Sequence, residues 1–289
     1  MKPAKFEYHA PESTADVVAL LAEHGDDAKV LAGGQSLVPM LNMRLTRFEH
    51  IIDLNRVDEL RGIERSNGAL TVKAMTRQGV AEHAPEVAAV PLLAQAIPNI
   101  GHFQIRNRGT VGGSIAHADP ASELPAVALA LDAELEIAGP AGTRRVPASE
   151  FFVGTWTTTL ADDEILAAVH FPVWTGQTGF VVDEVARRSG DFALVGVVCG
   201  VEVDGSGTIT RAALAHFGMG PTPVRARQAE AALVGSNPTA SDLTELAHLT
   251  VADCNPSADV HASADYRAHV GAHLAERALD RALGDARRG

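Results

Sequence analysis

Cysteine is scarce in this chain, which contains only Cys199 and Cys254 among its 289 residues. Two thiols cannot supply the four cysteine ligands of a typical iron–sulfur cluster, and their positions suggest no disulfide framework. Cys199 ends the apolar run at residues 195–199, which favours a buried thiol that packs as a small hydrophobic side chain. The sequence thus argues against an iron–sulfur centre held by this chain.

A net positive charge and long apolar runs are also lacking. The chain has 24 Lys and Arg against 36 Asp and Glu, a net charge of -12, which argues against a nucleic-acid partner. No apolar run approaches the ~20 residues that span a bilayer, and residues 1–6 include no apolar segment of a secretory signal. We therefore expect a cytoplasmic protein without a membrane span. An anion site built from backbone N–H groups stays possible, because it needs no net positive charge.

The patterns of apolar and turn residues divide the chain into three parts. The length suits two domains or one large one, and 46% hydrophobic with 21% charged residues is typical of a globular protein. The pattern of residues 1–55 predicts a small β-α-β-α-β unit. Its predicted elements are a helix over 12–24 capped by Ser13 or Thr14, a strand at 29–31, a helix at 36–45 and a strand at 50–54. Residues 56–175 and 176–289 form the second and third parts.

The second part begins with a hairpin around Asn67-Gly68. Helices are predicted from Thr76, as a cap, to residue 83, and over 86–97 and 122–131, with strands at 134–137, 143–146 and 164–171 and an ordered loop at 98–108. The third part predicts three antiparallel strands at 180–186, 192–203 and 208–217, which Pro221 and Pro223 end. Helices at 225–234, 240–252 and 264–283 follow, so the fold class is α+β.

Two glycine pairs stand out: Gly33-Gly34, and Gly112-Gly113 at 79 positions further along. Each is expected to follow an apolar strand, and a serine comes after each. Glycine permits a positive φ and lets a ligand approach the backbone, and successive N–H groups in such a turn form a nest for phosphate. Neither pair fits the G-x-G-x-x-G or the Walker pattern. The residues alone leave two readings open, namely tight turns or two phosphate nests that hold a dinucleotide.

Four motifs occur together and in order: Ala32-Gly33-Gly34-Gln35-Ser36-Leu37, Gly109-Thr110-Val111-Gly112-Gly113-Ser114, Asp119-Pro120-Ala121-Ser122-Glu123-Leu124-Pro125 and Arg187-Arg188-Ser189-Gly190-Asp191-Phe192-Ala193. On the basis of these four motifs, the chain resembles over its whole length the FAD-binding medium subunit of the molybdenum hydroxylases, the family of aerobic carbon monoxide dehydrogenase and xanthine dehydrogenase. The resemblance implies a PCMH-type FAD-binding domain of two α/β subdomains, residues 1–55 and 56–175. A C-terminal domain with a three-stranded antiparallel sheet plus three helices, residues 176–289, follows.

The same resemblance implies the residues that bind FAD. The first glycine motif wraps one side of the pyrophosphate and the second holds it from the other side, an acidic residue contacts the cofactor, and an apolar pair and an aromatic ring lie beside the flavin. In this sequence these positions are Ala32, Gly33, Gly34, Gln35, Ser36, Leu37, Thr110, Val111, Gly112, Gly113, Ser114, Glu123, Ile165, Leu166 and Phe192.

Two positions depart from the family pattern. Phe192 stands where many relatives carry Tyr, so no hydroxyl group is available there. Asp183-Glu184 replaces a common Glu-Lys pair, so a cationic contact is lost. Neither catalytic nor metal-binding residues are predicted: His269 and His273 form an i,i+4 pair without a third ligand, and His117 with Asp119 is better explained as part of a loop.

The implied function is that of an electron-transfer subunit with FAD as its cofactor. A small subunit with [2Fe-2S] clusters delivers electrons, a large subunit with a molybdopterin-type molybdenum cofactor hydroxylates the substrate, and the subunits form a dimer of heterotrimers. Carbon monoxide, a purine, an N-heterocycle or an aldehyde stay open as substrates, and NAD, a quinone or oxygen as acceptors. The alternatives are a self-contained PCMH-type flavin oxidoreductase and a non-catalytic nucleotide-binding module.

Overall fold

The computed structural model describes residues 2–289, and the side chains of all of these but Ala240. Its first sheet is parallel, with strand order β1-β3-β2. Ser13 caps the first helix by accepting a hydrogen bond from the N–H of Asp16 at 3.1 Å, as the sequence predicts. The elements of this unit are β1 (Glu7–His9), α1 (Thr14–His24), β2 (Ala28–Leu31), α2 (Leu37–Asn42) and β3 (His50–Asp53).

The second sheet has five antiparallel strands in the order β4-β5-β10-β6-β7, and the predicted hairpin at Asn67-Gly68 joins its first two. Its central helix, α7, is buried along its whole length. The elements are β4 (Ile63–Ser66), β5 (Ala69–Lys73), α3 (Gln78–His83), α4 (Pro91–Ala96), α5 (Phe103–Arg106), α6 (Val111–His117), α7 (Glu123–Ala130), β6 (Glu134–Gly139), β7 (Gly142–Pro147), α8 (Ala148–Phe151), β8 (Phe152–Gly154), β9 (Thr157–Thr158) and β10 (Ile165–Pro172).

The third sheet has four antiparallel strands, so the expectation of three is wrong. The fourth strand has only two residues and pairs with Ala215 and His216 directly after Pro223, which was expected to end the sheet. The three predicted helices pack here. The elements are β11 (Gln177–Ala186), β12 (Ala193–Val203), β13 (Ile209–Phe217), β14 (Val224–Arg225), α9 (Arg227–Leu233), α10 (Ala240–Thr250) and α11 (Ala264–Ala286).

Two local expectations in the second unit are wrong. The helix predicted over residues 86–97 is interrupted, because Pro91 lacks an N–H and keeps Val90 out of the helical region, at ψ 82°. A 3-10 turn, Pro85–Ala89, therefore precedes α4. Thr76 does not cap α3, since its hydroxyl group donates to the carbonyl of Gly62 at 2.9 Å.

The core forms three hydrophobic clusters, and the largest extends from the second sheet onto one face of the third sheet. The cluster of the first sheet extends across to the second sheet through Met75, Ala138 and Ile165. The two units therefore share buried apolar surface beneath the glycine motifs. Within residues 2–289, none of the helices combines the length and apolar character that crossing a membrane requires.

Candidate functional site

The first glycine motif connects β2 to α2 through a tight turn. Gly34 has φ 75°, a conformation that a side chain would strain. A Cβ at Gly33 would lie 2.7 Å from the Cα of Gly109, so the absence of a side chain lets the loop rest on the second unit. The predicted turn is therefore present: Gly34 allows the turn itself, and Gly33 allows its close contact with the second unit.

The backbone of this loop offers unused hydrogen-bond donors. The N–H groups of Gly33, Gly34, Gln35 and Ser36 donate to no acceptor within residues 2–289. Successive free N–H groups around a left-handed glycine suit a phosphate oxygen. The loop borders a cavity of about 360 Å³, lined by Leu31, Ala32, Gly33, Gly34, Gln35, Val38, Pro39, Asp53, Asn55 and Arg108.

The second glycine pair has a different geometry. Gly112 and Gly113 lie in the first turn of α6 without a positive φ. The segment before them contains α5 and a turn, so neither the ordered loop predicted at 98–108 nor an apolar strand leads into this pair. The N–H groups of Val111, Gly112, Gly113 and Ser114 all have protein acceptors at 2.9 to 3.1 Å. The expectation of a second nest with free N–H groups is therefore wrong.

The second pair instead permits close packing. A Cβ at Gly112 would lie 2.5 Å from the Cα of Ala74, and one at Gly113 would lie 3.2 Å from the Cβ of Ala32. With the contact between Gly33 and Gly109, the two motifs pack directly against each other. The structure thus brings the motifs together, as the sequence predicts, but only the first presents free donors.

A polar network that sequence reasoning missed supports the first loop. The side-chain amide of Asn55 donates to the carbonyl of Ala32 at 3.1 Å, and its backbone N–H donates to Asp53 at 2.9 Å. Arg77 binds both Asn55 and the carbonyl of Arg108, so it spans the two motifs. Burial, followed by the charge of Arg108, lowers the pKa of Arg77. No local motif marks these residues, because they converge only in the folded chain.

Glu123 is the first residue of α7 and is almost completely buried. Burial, and then the nearby carboxyl groups of Glu184 and Asp119, raise its pKa to about 8. Glu184, on β11, has its pKa raised to about 7 by burial and Asp183, and its Oε2 atom is buried without a hydrogen-bond partner. A protonatable carboxyl group on a helix of the second unit and one on the third sheet thus influence each other's surroundings.

The remaining predicted residues have contrasting surroundings. Ile165 and Leu166 begin β10 with buried side chains, and β5 pairs with β10 only from Ala168 onward. Their backbone on that side therefore has no ladder partner within the described chain. Phe192 is 68% exposed in the loop before β12, so its ring is available for stacking. Gly190 lies in the same loop and packs against the ring of His102.

Comparison with known proteins agrees with this fold. The family model of the FAD binding domain in molybdopterin dehydrogenase matches residues 4–174, and that of the CO dehydrogenase flavoprotein C-terminal domain matches residues 181–282. The chain is 39% identical to the carbon monoxide dehydrogenase medium chain of Hydrogenophaga pseudoflava over 98% of each chain. It is 40% identical to the 6-hydroxypseudooxynicotine dehydrogenase complex subunit alpha of Paenarthrobacter nicotinovorans, over 99% of this chain and 97% of that one.

A solved structure extends the comparison to three dimensions. It is the Hydrogenophaga pseudoflava carbon monoxide dehydrogenase that lacks the Mo-pyranopterin moiety of its molybdenum cofactor, which matches with a TM-score of 0.96 and 40% identity over 99% of each chain. The chain belongs to the FAD-binding medium subunits of the molybdenum hydroxylases, the family of carbon monoxide dehydrogenase and xanthine dehydrogenase. It is therefore the electron-transferring flavoprotein component of a molybdenum-dependent oxidoreductase, and its cofactor is FAD. The family, fold class and function predicted from the sequence are confirmed, and neither alternative function is favoured.

Proposed function

We propose that the first glycine loop, residues 32–37, binds the FAD pyrophosphate and thereby fixes the cofactor on this subunit. The observation that supports this most directly is the row of free N–H groups at Gly33, Gly34, Gln35 and Ser36 beside a cavity of about 360 Å³. Arg108, at the rim, adds a positive charge that complements a phosphate. The donor set and the space therefore fit the group that the family binds.

The other residues act around this anchor. Thr110 accepts a hydrogen bond from Gly113 and so fixes the start of α6. Val111, Gly112 and Ser114 donate to the carbonyls of Thr76, Ala74 and Thr110 and hold the second motif in place, where Gly109 and Gly113 approach Gly33 and Ala32 of the first motif. Glu123, Ile165, Leu166 and Phe192 are proposed to contact the ribityl and flavin portions. Bound FAD supplies the electron-carrying chemistry, whereas the protein binds and orients it, and no side chain is needed as an acid or a base.

The finer assembly is also a proposal. The chain associates with a large molybdenum-cofactor subunit and a small [2Fe-2S] subunit as a cytoplasmic dimer of heterotrimers, and its three units comprise residues 1–55, 56–175 and 176–289. The scarcity of cysteine supports iron–sulfur clusters on a separate chain. Co-expression with the two partner genes and measurement of complex mass and subunit ratio test this assembly. A complex with any other subunit ratio contradicts it.

A pair of matched glycine substitutions tests the pyrophosphate loop. Gly34 and Gly68 both have φ 75°, but Gly68 lies in the open hairpin turn, where an added Cβ would meet no atom within 4 Å. Alanine at either position adds backbone strain of about 1–2 kcal/mol. We expect Gly34→Ala to lose most of its FAD, because the nest distorts, while Gly68→Ala retains it.

The readout is the flavin-to-protein ratio of the purified chain, together with its melting temperature. Similar melting temperatures with unequal flavin content support the proposal. Equal flavin content in the two variants means that this loop does not hold the cofactor.

A further inference from the structure

Three histidines from separate elements meet beside the first sheet. His9 ends β1, His24 ends α1 and His50 begins β3. In the parallel ladder His9 lies opposite Ile52, which is two residues from His50, so His9 and His50 point to the same face of the sheet. Helix α1 packs on Ile52 through Val17 and Leu21 and so brings its last residue to this face.

The ring nitrogens of this histidine cluster are close enough to share one ion. One nitrogen from each of the three rings lies within 4.8 Å of the other two. His9 Nε2 is 3.1 Å from His50 Nδ1, and the rings of His24 and His50 stack at a centroid distance of 3.7 Å. Nitrogen ligands about 2.0–2.1 Å from a tetrahedral Zn²⁺ lie roughly 3.3 Å apart. Rotation of these side chains, which tilts the stacked rings toward a common point, would bring the three nitrogens to that spacing.

A fourth ligand is within reach. Glu7 Oε2 lies 3.7 Å from His50 Nδ1, and its side chain is 70% exposed, so it is free to turn toward the cluster. Three imidazoles with one carboxylate or water form a donor set that suits zinc and similar divalent transition metals. All three histidines are half-buried, which leaves an entry path while limiting competition from water.

We propose that His9, His24 and His50 form a binding site for one divalent transition-metal ion of the Zn²⁺ class, which clamps β1 and the end of α1 to β3. This site is separate from the cofactor loop and serves to fix the first unit. In the metal-free chain the same atoms are held by ring stacking and an N–H···N hydrogen bond.

Zinc titration of the untagged full chain tests the proposal. After treatment with a chelator, the chain is titrated with Zn²⁺ by calorimetry, its zinc content is measured after desalting, and its melting temperature is recorded. We expect one tightly bound Zn²⁺ per chain and a higher melting temperature. Loss of a residue that only hydrogen-bonds to a metal ligand weakens metal affinity by about 10–100-fold. His24→Ala removes a ligand itself, so it is expected to weaken zinc binding at least ~100-fold.

The chain contains a control for non-specific binding by histidine. His269 and His273 are exposed at an i,i+4 spacing on α11, so His269→Ala with His273→Ala removes a histidine pair outside the cluster. This double variant is expected to retain the tight site. Flavin content verifies that each variant is folded, and His9→Gln serves as a second ligand variant if His24→Ala loses its flavin.

Absence of zinc uptake overturns the proposal, as does an affinity that His24→Ala and His9→Gln leave unchanged. Loss of the tight site in the α11 double variant also contradicts it, because the metal would then reside on that helix.

Discussion

At the scale of single residues, Glu123 and Glu184 make stability depend on pH. Their pKa values in the folded chain, about 8 and about 7, lie above the ordinary value of 4.5, so the folded state binds more protons than the unfolded state between these limits. The free energy of unfolding must then fall as pH rises from about 4.5 to about 8. Below 4.5 both carboxyl groups are protonated in either state, and the contribution is fully present.

Neutral amides at these positions should remove that dependence. We expect Glu184→Gln to stabilise the chain above pH 7 by on the order of 1 kcal/mol, an estimate reduced because Glu184 is only partly buried. Glu123→Gln is expected to act in the same direction with a larger effect, because its side chain is more deeply buried. Urea unfolding at several pH values measures the change.

Glu64→Gln is the matched control, since Glu64 is exposed on β4. Its unfolding free energy should follow the wild-type pH profile. If Glu184→Gln and Glu123→Gln also follow that profile, the two carboxyl groups are ionised in the folded chain and the expected proton binding is absent.

At the scale of elements, β14 is held by a buried ion-pair network. Arg225 has a side chain that is only 8% exposed, and it donates to Glu230 of α9 at 2.6 Å and to the carbonyl of Leu129 in α7 at 2.8 Å. Glu230 also accepts the N–H of Leu214 from β13 at 2.8 Å. One guanidinium therefore joins the third sheet to a helix of the second unit.

Removal of this guanidinium should be costly because Glu230 would remain buried without its partner. We expect Arg225→Ala to lower the free energy of unfolding by about 3–5 kcal/mol. Glu230→Gln in the same chain should restore part of the loss, since an amide keeps an acceptor for Leu214 without a charge. Arg145→Ala is the control, because its partner Glu134 is 53% exposed and such pairs contribute at most ~1 kcal/mol.

Denaturant unfolding of the four chains gives these differences. A loss in Arg225→Ala no larger than that in Arg145→Ala would show that the network contributes little. A double variant less stable than Arg225→Ala would show that the charge of Glu230 is not the source of the penalty.

The sequence predicted those elements whose cause is local. Ser13 caps α1 and Asn67-Gly68 turns the hairpin because both signals act within a few residues. Strand β14 was missed because it depends on pairing with β13 and on the hydrogen bond from Arg225 to the carbonyl of Leu129. Leu129 is far away in the sequence, so no local pattern encodes this contact. The histidine cluster was missed for the same reason, since α1, β2 and α2 lie between His9 and His50 along the chain.

The glycine motifs show the same limit at the site itself. A Gly-Gly pair permits a positive φ without requiring one, so the sequence could not distinguish the turn at Gly34 from the helical turn at Gly112 and Gly113. The two motifs differ in their tertiary hydrogen bonds, because Val111 and Gly112 donate to carbonyls of residues 74–76. Within residues 2–289, the N–H groups of residues 33–36 in the first motif meet no such acceptors, so these donors remain free.

At the scale of the whole molecule, the first unit contacts the second through the backbone of glycine residues. The ideal Cβ of Gly33 would lie 2.7 Å from the Cα of Gly109, and the ideal Cβ of Gly109 would lie 3.0 Å from the side-chain carbon of Gln78. Because Gly109 meets Gly33 with backbone atoms, no rotamer change relieves a clash there. The cofactor loop therefore depends on how closely the two units approach.

Gly33→Ala should separate the units without disturbing the third sheet. We expect overpacking to lower the free energy of unfolding by about 1–3 kcal/mol, with loss of FAD and faster hydrogen exchange in β2, α2 and residues 108–114. Strands β11, β12 and β13 are expected to stay protected, because their face toward α11 forms a hydrophobic cluster that includes neither glycine motif. Gly205→Ala is the matched control, since no atom lies within 4 Å of its Cβ position. Exchange that rises uniformly across all three sheets would indicate global destabilisation, and wild-type flavin content in Gly33→Ala would show that close approach of the units is not what forms the cofactor site.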